Sequence, residues 1–134
     1  MDQSSRSFKD SIQGPFALFM MSAGMLFFAN GLYTIPLATW LAPVFFIRFL
    51  RDQPLIRGIF IGIILNSVIT LITWRGMIPV PLKYYLIIAP IIGAASFSPY
   101  IIDRIFSGKL NGFKSSLVFP CAWVSFEYLN SLFN

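Results

Sequence analysis

Residues 119–130 read FPCAWVSFEYLN and hold the only cysteine and the only glutamate of the chain, Cys121 and Glu127. A thiol and a carboxylate could act as a nucleophile with its base, provided the two groups come within hydrogen-bond reach, ~3 Å. On one helix, however, their spacing corresponds to ~600° of rotation and ~9 Å of rise, so the side chains point roughly 120° apart at different depths. The spacing argues against a dyad, and Cys121 reads as a small packed hydrophobe. Glu127 stands as a separate candidate, because an ionisable group inside an apolar run is costly in lipid and usually faces other helices or a wet cavity. Two readings stay open for it. One is a polar anchor for a lipid headgroup or for a domain docked outside. The other is an interfacial carboxylate, touching water or protonated.

A second polar constellation is Asn66, Thr70 and Thr73, which fall at i, i+4 and i+7 and make one stripe on a helix. Such a stripe supplies interhelical hydrogen bonds of ~1 kcal/mol or less each, or lines a transport path. Gly58 and Gly62 form a GxxxG pattern that permits close packing. Pro43 and Pro90 kink their helices or open local cavities. Asp103 beside Arg104 reads as a solvated helix end with little energy in the pair. The sequence has no histidine, which removes the commonest general base and the usual zinc and haem ligands. One cysteine forms no internal disulfide. The five acidic residues are scattered. No catalytic residue, cofactor or metal is assigned on these grounds.

The elements that position these residues follow from composition. The chain is 57% hydrophobic and only 11% charged, with a mean hydropathy of +0.75. An ordinary globular chain is roughly 45–50% apolar and about 25% charged. This is the composition of a chain solvated by lipid. The net charge of +5 does not indicate nucleic acid, because the basic residues punctuate apolar runs instead of clustering on one wet face.

Apolar runs place helices at about 15–33, 36–50, 57–74, 82–102 and 116–133, after a polar segment at 1–14. Crossing the hydrocarbon takes ~20 apolar residues, and lipid forces such segments to be helical. Pro15 suits a first helical position. The run after the polar segment is too long, and lacks a small-residue cleavage site, for a removable signal peptide. The second run is short enough to lie in the interface or to cross. Charge arbitrates, since cytoplasmic loops collect Lys and Arg. With five crossings and the N-terminus inside, Arg6, Lys9, Arg48, Arg51, Arg57, Arg104, Lys109 and Lys114 fall inside, and only Arg75 and Lys83 outside. The predicted fold is therefore all-α: a polytopic transmembrane helical bundle of about five helices, N-in and C-out, with 1–14 a cytoplasmic segment. Arg48 sits near a helix end, where it can snorkel into headgroups. Trp40, Trp74, Tyr84 and Tyr85 suit an aromatic belt near the outer boundary.

Two stretches carry a resemblance to a family. Residues 35–51, IPLATWLAPVFFIRFLR, look like an early membrane segment of bacterial apolipoprotein N-acyltransferases, through Pro36, Trp40, Leu41, Ala42, Pro43, Arg48 and Arg51. The stretch 119–130 is similar to a later family pattern through Pro120, Trp123, Glu127, Tyr128 and Leu129; Asn130 stands where the family often has arginine. The resemblance implies a bacterial inner-membrane protein that transfers an acyl chain from phospholipid to the amino terminus of a lipoprotein. It implies a nitrilase-like domain outside the membrane with a Glu–Lys–Cys triad. No residue here matches that triad, and Cys121 is not its nucleophile. The chain then resembles the membrane region alone, inactive by itself, an anchor and lipid-access scaffold for a separate or missing nitrilase-like domain. On that reading its partners are membrane phospholipids, and Glu127, Trp123, Arg48, Trp40 and Asn66 are structural or lipid-contact positions. The alternative is a small non-enzymatic membrane protein, a transporter subunit or assembly scaffold.

Overall fold

A computed structural model describes the backbone of residues 3–133 and the side chains of residues 14–132. Among the described residues the fold is all-helical, with no strand. The helices are α1 (Gln3–Phe27), α2 (Pro36–Asp52), α3 (Leu55–Thr73), α4 (Leu82–Ser96), α5 (Ser98–Phe106) and α6 (Phe113–Phe133), with a 3₁₀ turn at Ser107–Lys109 before α6.

Proline sets several of the starts. Pro36 opens α2 behind an extended Ile35, where a missing N–H costs nothing. Pro54 and Pro81 stand immediately before α3 and α4. Pro99 explains the break between α4 and α5, which the sequence pattern had as one helix over 82–102. Its ring excludes the carbonyl four residues earlier, and the helix is interrupted at Phe97.

The first element also differs from the expected 15–33. Helix α1 begins at Gln3, inside the segment expected to precede it, so Pro15 lies in its interior. It ends at Phe27, where an Asn30–Gly31 turn closes: Asn30 Oδ1 accepts from Gly31 N at 2.8 Å, and Gly31 takes φ 86°. Helix α2, by contrast, runs unbroken through Pro43.

The helices pair as consecutive hairpins, α1 with α2, α3 with α4, and α5 with α6, and α2 joins them by touching α3 and α5. The core is built on α2: Ala42, Phe46, Phe49 and Leu50 meet Leu26 of α1, Ile69 of α3, and Phe97 and Tyr100. Tyr100 is the aromatic hub, with its ring centroid 4.8 Å from Phe46 and 4.8 Å from Phe119.

Two glycines set the close approaches. A Cβ on Gly62 would overlap the Phe97 ring, and one on Gly93 would lie 2.7 Å from Ser67 Cα. The GxxxG pattern thus serves packing within the chain: Gly62 seats the α4–α5 joint, and Gly58 abuts the Leu50 carbonyl.

Outside this core the surface is apolar. Ile56, Phe60, Ile64, Val68 and Ile72 form an exposed stripe along α3, and Leu86, Ile87 and Ile91 are exposed on α4. Among the described residues two stretches, Leu55–Thr73 and Leu82–Lys109, are long and apolar enough to cross a membrane. That is fewer than the five expected crossings. The apolar part of α1 is short, α2 ends in Arg48, Arg51 and Asp52, and α6 is interrupted by Lys114, Glu127 and Asn130.

Candidate functional site

The α3–α4 seam holds the polar stripe. Asn66 donates through Nδ2 to the Gly93 carbonyl at 2.7 Å and to Ser96 Oγ at 3.0 Å. Ser67 Oγ donates to the Pro90 carbonyl at 3.1 Å. Thr70 and Thr73 turn their hydroxyls back onto the Asn66 and Ile69 carbonyls of their own helix. Asn66 is therefore an interhelical tie, and the threonines close their own needs within α3. Pro90 frees a carbonyl partner in the helix, and here its own carbonyl is used across the seam. Tyr85 was expected in an interfacial belt. It is instead buried, and donates through its hydroxyl to the Leu71 carbonyl at 2.7 Å. Its side chain faces α3 because it shares the inward face of α4 with Ala89 and Gly93.

Trp40 is 81% exposed. Trp123 is half-buried against Tyr100 and Phe119, so it is a packing residue of the α5–α6 hairpin. Arg48 is exposed at the last turns of α2.

Cys121 is exposed, and its carbonyl accepts from Ser125 Oγ. It lines a shallow open depression with Pro120, Val124 and Ser125. None of these is an acid or base, and Glu127 is exposed one turn beyond. The second depression, between α1 and α3, is lined by Phe19, Ile61, Ile64, Leu65 and Val68 and is wholly apolar. Among the described residues no group of His, Cys, Asp or Glu could hold a metal ion.

Asp103 is not the solvated neighbour of Arg104 that the sequence predicts. Its side chain is only 3% exposed, and it pairs with Arg51 of α2, not with its neighbour. The contact is bidentate: Arg51 donates through Nε to Oδ2 at 3.1 Å and through a terminal nitrogen to Oδ1 at 2.8 Å. A planar guanidinium matches a carboxylate in this fork geometry. Arg104 instead donates to the Gln53 carbonyl. Both arginines thus tie the α2–α3 turn to α5.

That end of the bundle gathers charge. The last turns of α2, the first of α3, the end of α5 and the start of α6 meet there, the last held by Ser115 Oγ on the Ser107 carbonyl at 3.0 Å. These element ends and the turns between them carry Arg48, Arg51, Arg57, Arg104, Lys109 and Lys114, against Asp52 and Asp103. The α3–α4 connection, at the opposite end, carries Arg75 and begins α4 with Lys83.

The Arg51–Asp103 pair spans 52 positions of sequence, and nothing local announces it. The one available signal was an acidic residue at the edge of an apolar run, which asks for a partner. No family model, curated protein or solved structure matches this chain.

Proposed function

We propose that the chain is a multi-pass membrane bundle of the bacterial inner membrane, N-in and C-out, that serves as an anchor and lipid-access scaffold of the kind found in apolipoprotein N-acyltransferases. The observation that carries the membrane part of this reading is the segregation of charge and apolar surface. One end of the bundle is strongly basic, and the α3 flank between the two ends is a continuous apolar stripe from Ile56 to Ile72. Exposed apolar area on that scale suits a lipid or protein partner, and the basic end suits the cytoplasmic side.

In this reading all five segments cross: α3 and the α4–α5 pair are long and apolar enough by themselves, and α1, α2 and α6 cross packed around them. The acyltransferase part rests on the resemblance through Pro36, Trp40, Pro43, Arg48, Trp123 and Glu127. Membrane phospholipids are then its immediate partners.

The test is topology mapping. Single cysteines are introduced beside Lys83 and beside Lys109 in a Cys121→Ser background and labelled with a membrane-impermeant maleimide in intact cells. The expected result is labelling beside Lys83 and protection beside Lys109 until the membrane is opened. Equal labelling at both, or a chain recovered in the alkaline-soluble fraction, refutes the multi-pass reading. The scaffold role is tested by co-expression with a separate nitrilase-like domain, where acyl transfer to a lipoprotein should require both chains.

A non-enzymatic assembly scaffold is favoured by one feature, the second half of α6. From Val124 to Leu132 nearly every residue is exposed, which leaves that half available to another protein.

A further inference from the structure

The basic end of the bundle divides into two sets of residues. Arg51 and Arg104 are engaged within the fold, one on Asp103 and the other on the Gln53 carbonyl. Arg48, Arg57, Lys109 and Lys114 are not engaged in this way. Arg48, Arg57 and Lys114 are exposed, as is Lys109, whose ammonium lies 5.7 Å from the centre of the Phe106 ring. Among the described residues none of the four makes an ion pair. Asp52, the nearest acidic residue in sequence to Arg48 and Arg57, is itself exposed and unpaired within the same set. Among the described residues four cations at this end of the bundle thus have no ion-pair partner, on elements whose adjoining turns expose Ile56, Phe60 and Phe113.

We infer that this basic rim is a docking surface for anionic phospholipid headgroups, with lipids such as phosphatidylglycerol held through their phosphodiesters by the exposed cations, Arg57 and Lys109 among them, while their acyl chains lie on the neighbouring apolar flanks. Charge complementarity selects the partner: a cation near an anionic lipid surface gains a favourable interaction that a zwitterionic lipid does not supply. The adjacent apolar side chains select a lipid over a free anion. The inference rests on the membrane-spanning reading, which places this rim at headgroup level. It adds which lipid class is held, and by which residues.

The experiment uses the full chain reconstituted in nanodiscs of equal parts phosphatidylcholine and phosphatidylglycerol, followed by mass spectrometry of the lipids retained after detergent release. The expected result is retention of phosphatidylglycerol over phosphatidylcholine. Arg57→Gln with Lys109→Gln should lower that preference by up to about thirty-fold, each cation contributing roughly five-fold. Arg75→Gln with Lys83→Gln, at the opposite end, should leave it unchanged. High salt should weaken it in the wild type.

Equal retention of the two lipids overturns the proposal, as does the same loss from both double variants. Displacement by inorganic phosphate as effective as by phosphatidylglycerol also overturns it, since the surface would then bind a small anion and not a lipid. Resistance to alkaline extraction, measured on the same sample, separates the two claims. A chain that is extracted refutes the membrane reading, whereas one that stays inserted without lipid preference refutes only this inference.

Discussion

The α3–α4 and α5–α6 hairpins solve the same packing problem in opposite ways. Along α3–α4 the inward faces use small residues and polar ties: Gly93 lets the backbones close, and Asn66, Ser67 and Tyr85 each donate to a carbonyl of the facing helix. Beyond their first turns, which expose Arg57 and Lys83, the outward faces are apolar. The α5–α6 hairpin packs large rings, Tyr100 against Phe119 and Trp123, and only over the first half of α6. Its second half carries Glu127 and Asn130 into the open. In the proposed lipid setting there is no hydrophobic drive between helices, so association there depends on close packing and hydrogen bonds. The first hairpin has both along its length. The second has them at one end, and the two carboxylates make the same point, Asp103 buried and paired, Glu127 exposed and alone.

The comparison can be broken most severely at Gly93. Its added Cβ would meet the Ser67 backbone, which has no rotamer to offer, so Gly93→Val should cost about 3 kcal/mol, read as a fall in the melting temperature in detergent. Asp103→Ala should cost less, about 2 kcal/mol, because the stranded Arg51 side chain is already 38% exposed and can recover water or headgroups. The same melt checks it, and protease sensitivity in the Gln53 turn should rise with it, since that turn is the anchor lost. Glu127→Gln should change stability by under about 0.5 kcal/mol. A large loss there would mean that α6 is covered after all, and would erase the contrast between its halves.

The all-helical fold and the start of α2 were legible because apolar runs and prolines are local signals. Pro36 marks its helix from sequence alone, whereas α3 starts at Leu55, behind Pro54 and ahead of the expected 57. The role of Asn66 as an interhelical tie was legible for the same reason, since its spacing from Thr70 and Thr73 put it on one face. Three features were not. The break at Phe97 needed Pro99 to be weighed as an excluder of a carbonyl, where an apolar run suggested continuity. The burial of Tyr85 depended on which face of α4 meets α3, and a helix apolar on nearly every side does not declare that face. Asp103 was assigned to its neighbour Arg104 because adjacency in sequence is visible and a partner on α2 is not. For the candidate site, the basic residues were all countable, but which of them the fold consumes and which it leaves free was decided by tertiary contacts.

The Arg51–Asp103 clasp has a consequence for how the protein is made. Synthesis proceeds from the N-terminus, and earlier segments begin to fold first. The guanidinium emerges 52 residues ahead of its carboxylate. Until the end of α5 leaves the ribosome, the first hairpin has no fixed latch on the growing chain, and a ribosome stalled anywhere in α4 would present an unclasped intermediate. The final orientation of α2 is thereby deferred to one of the last helices to be translated.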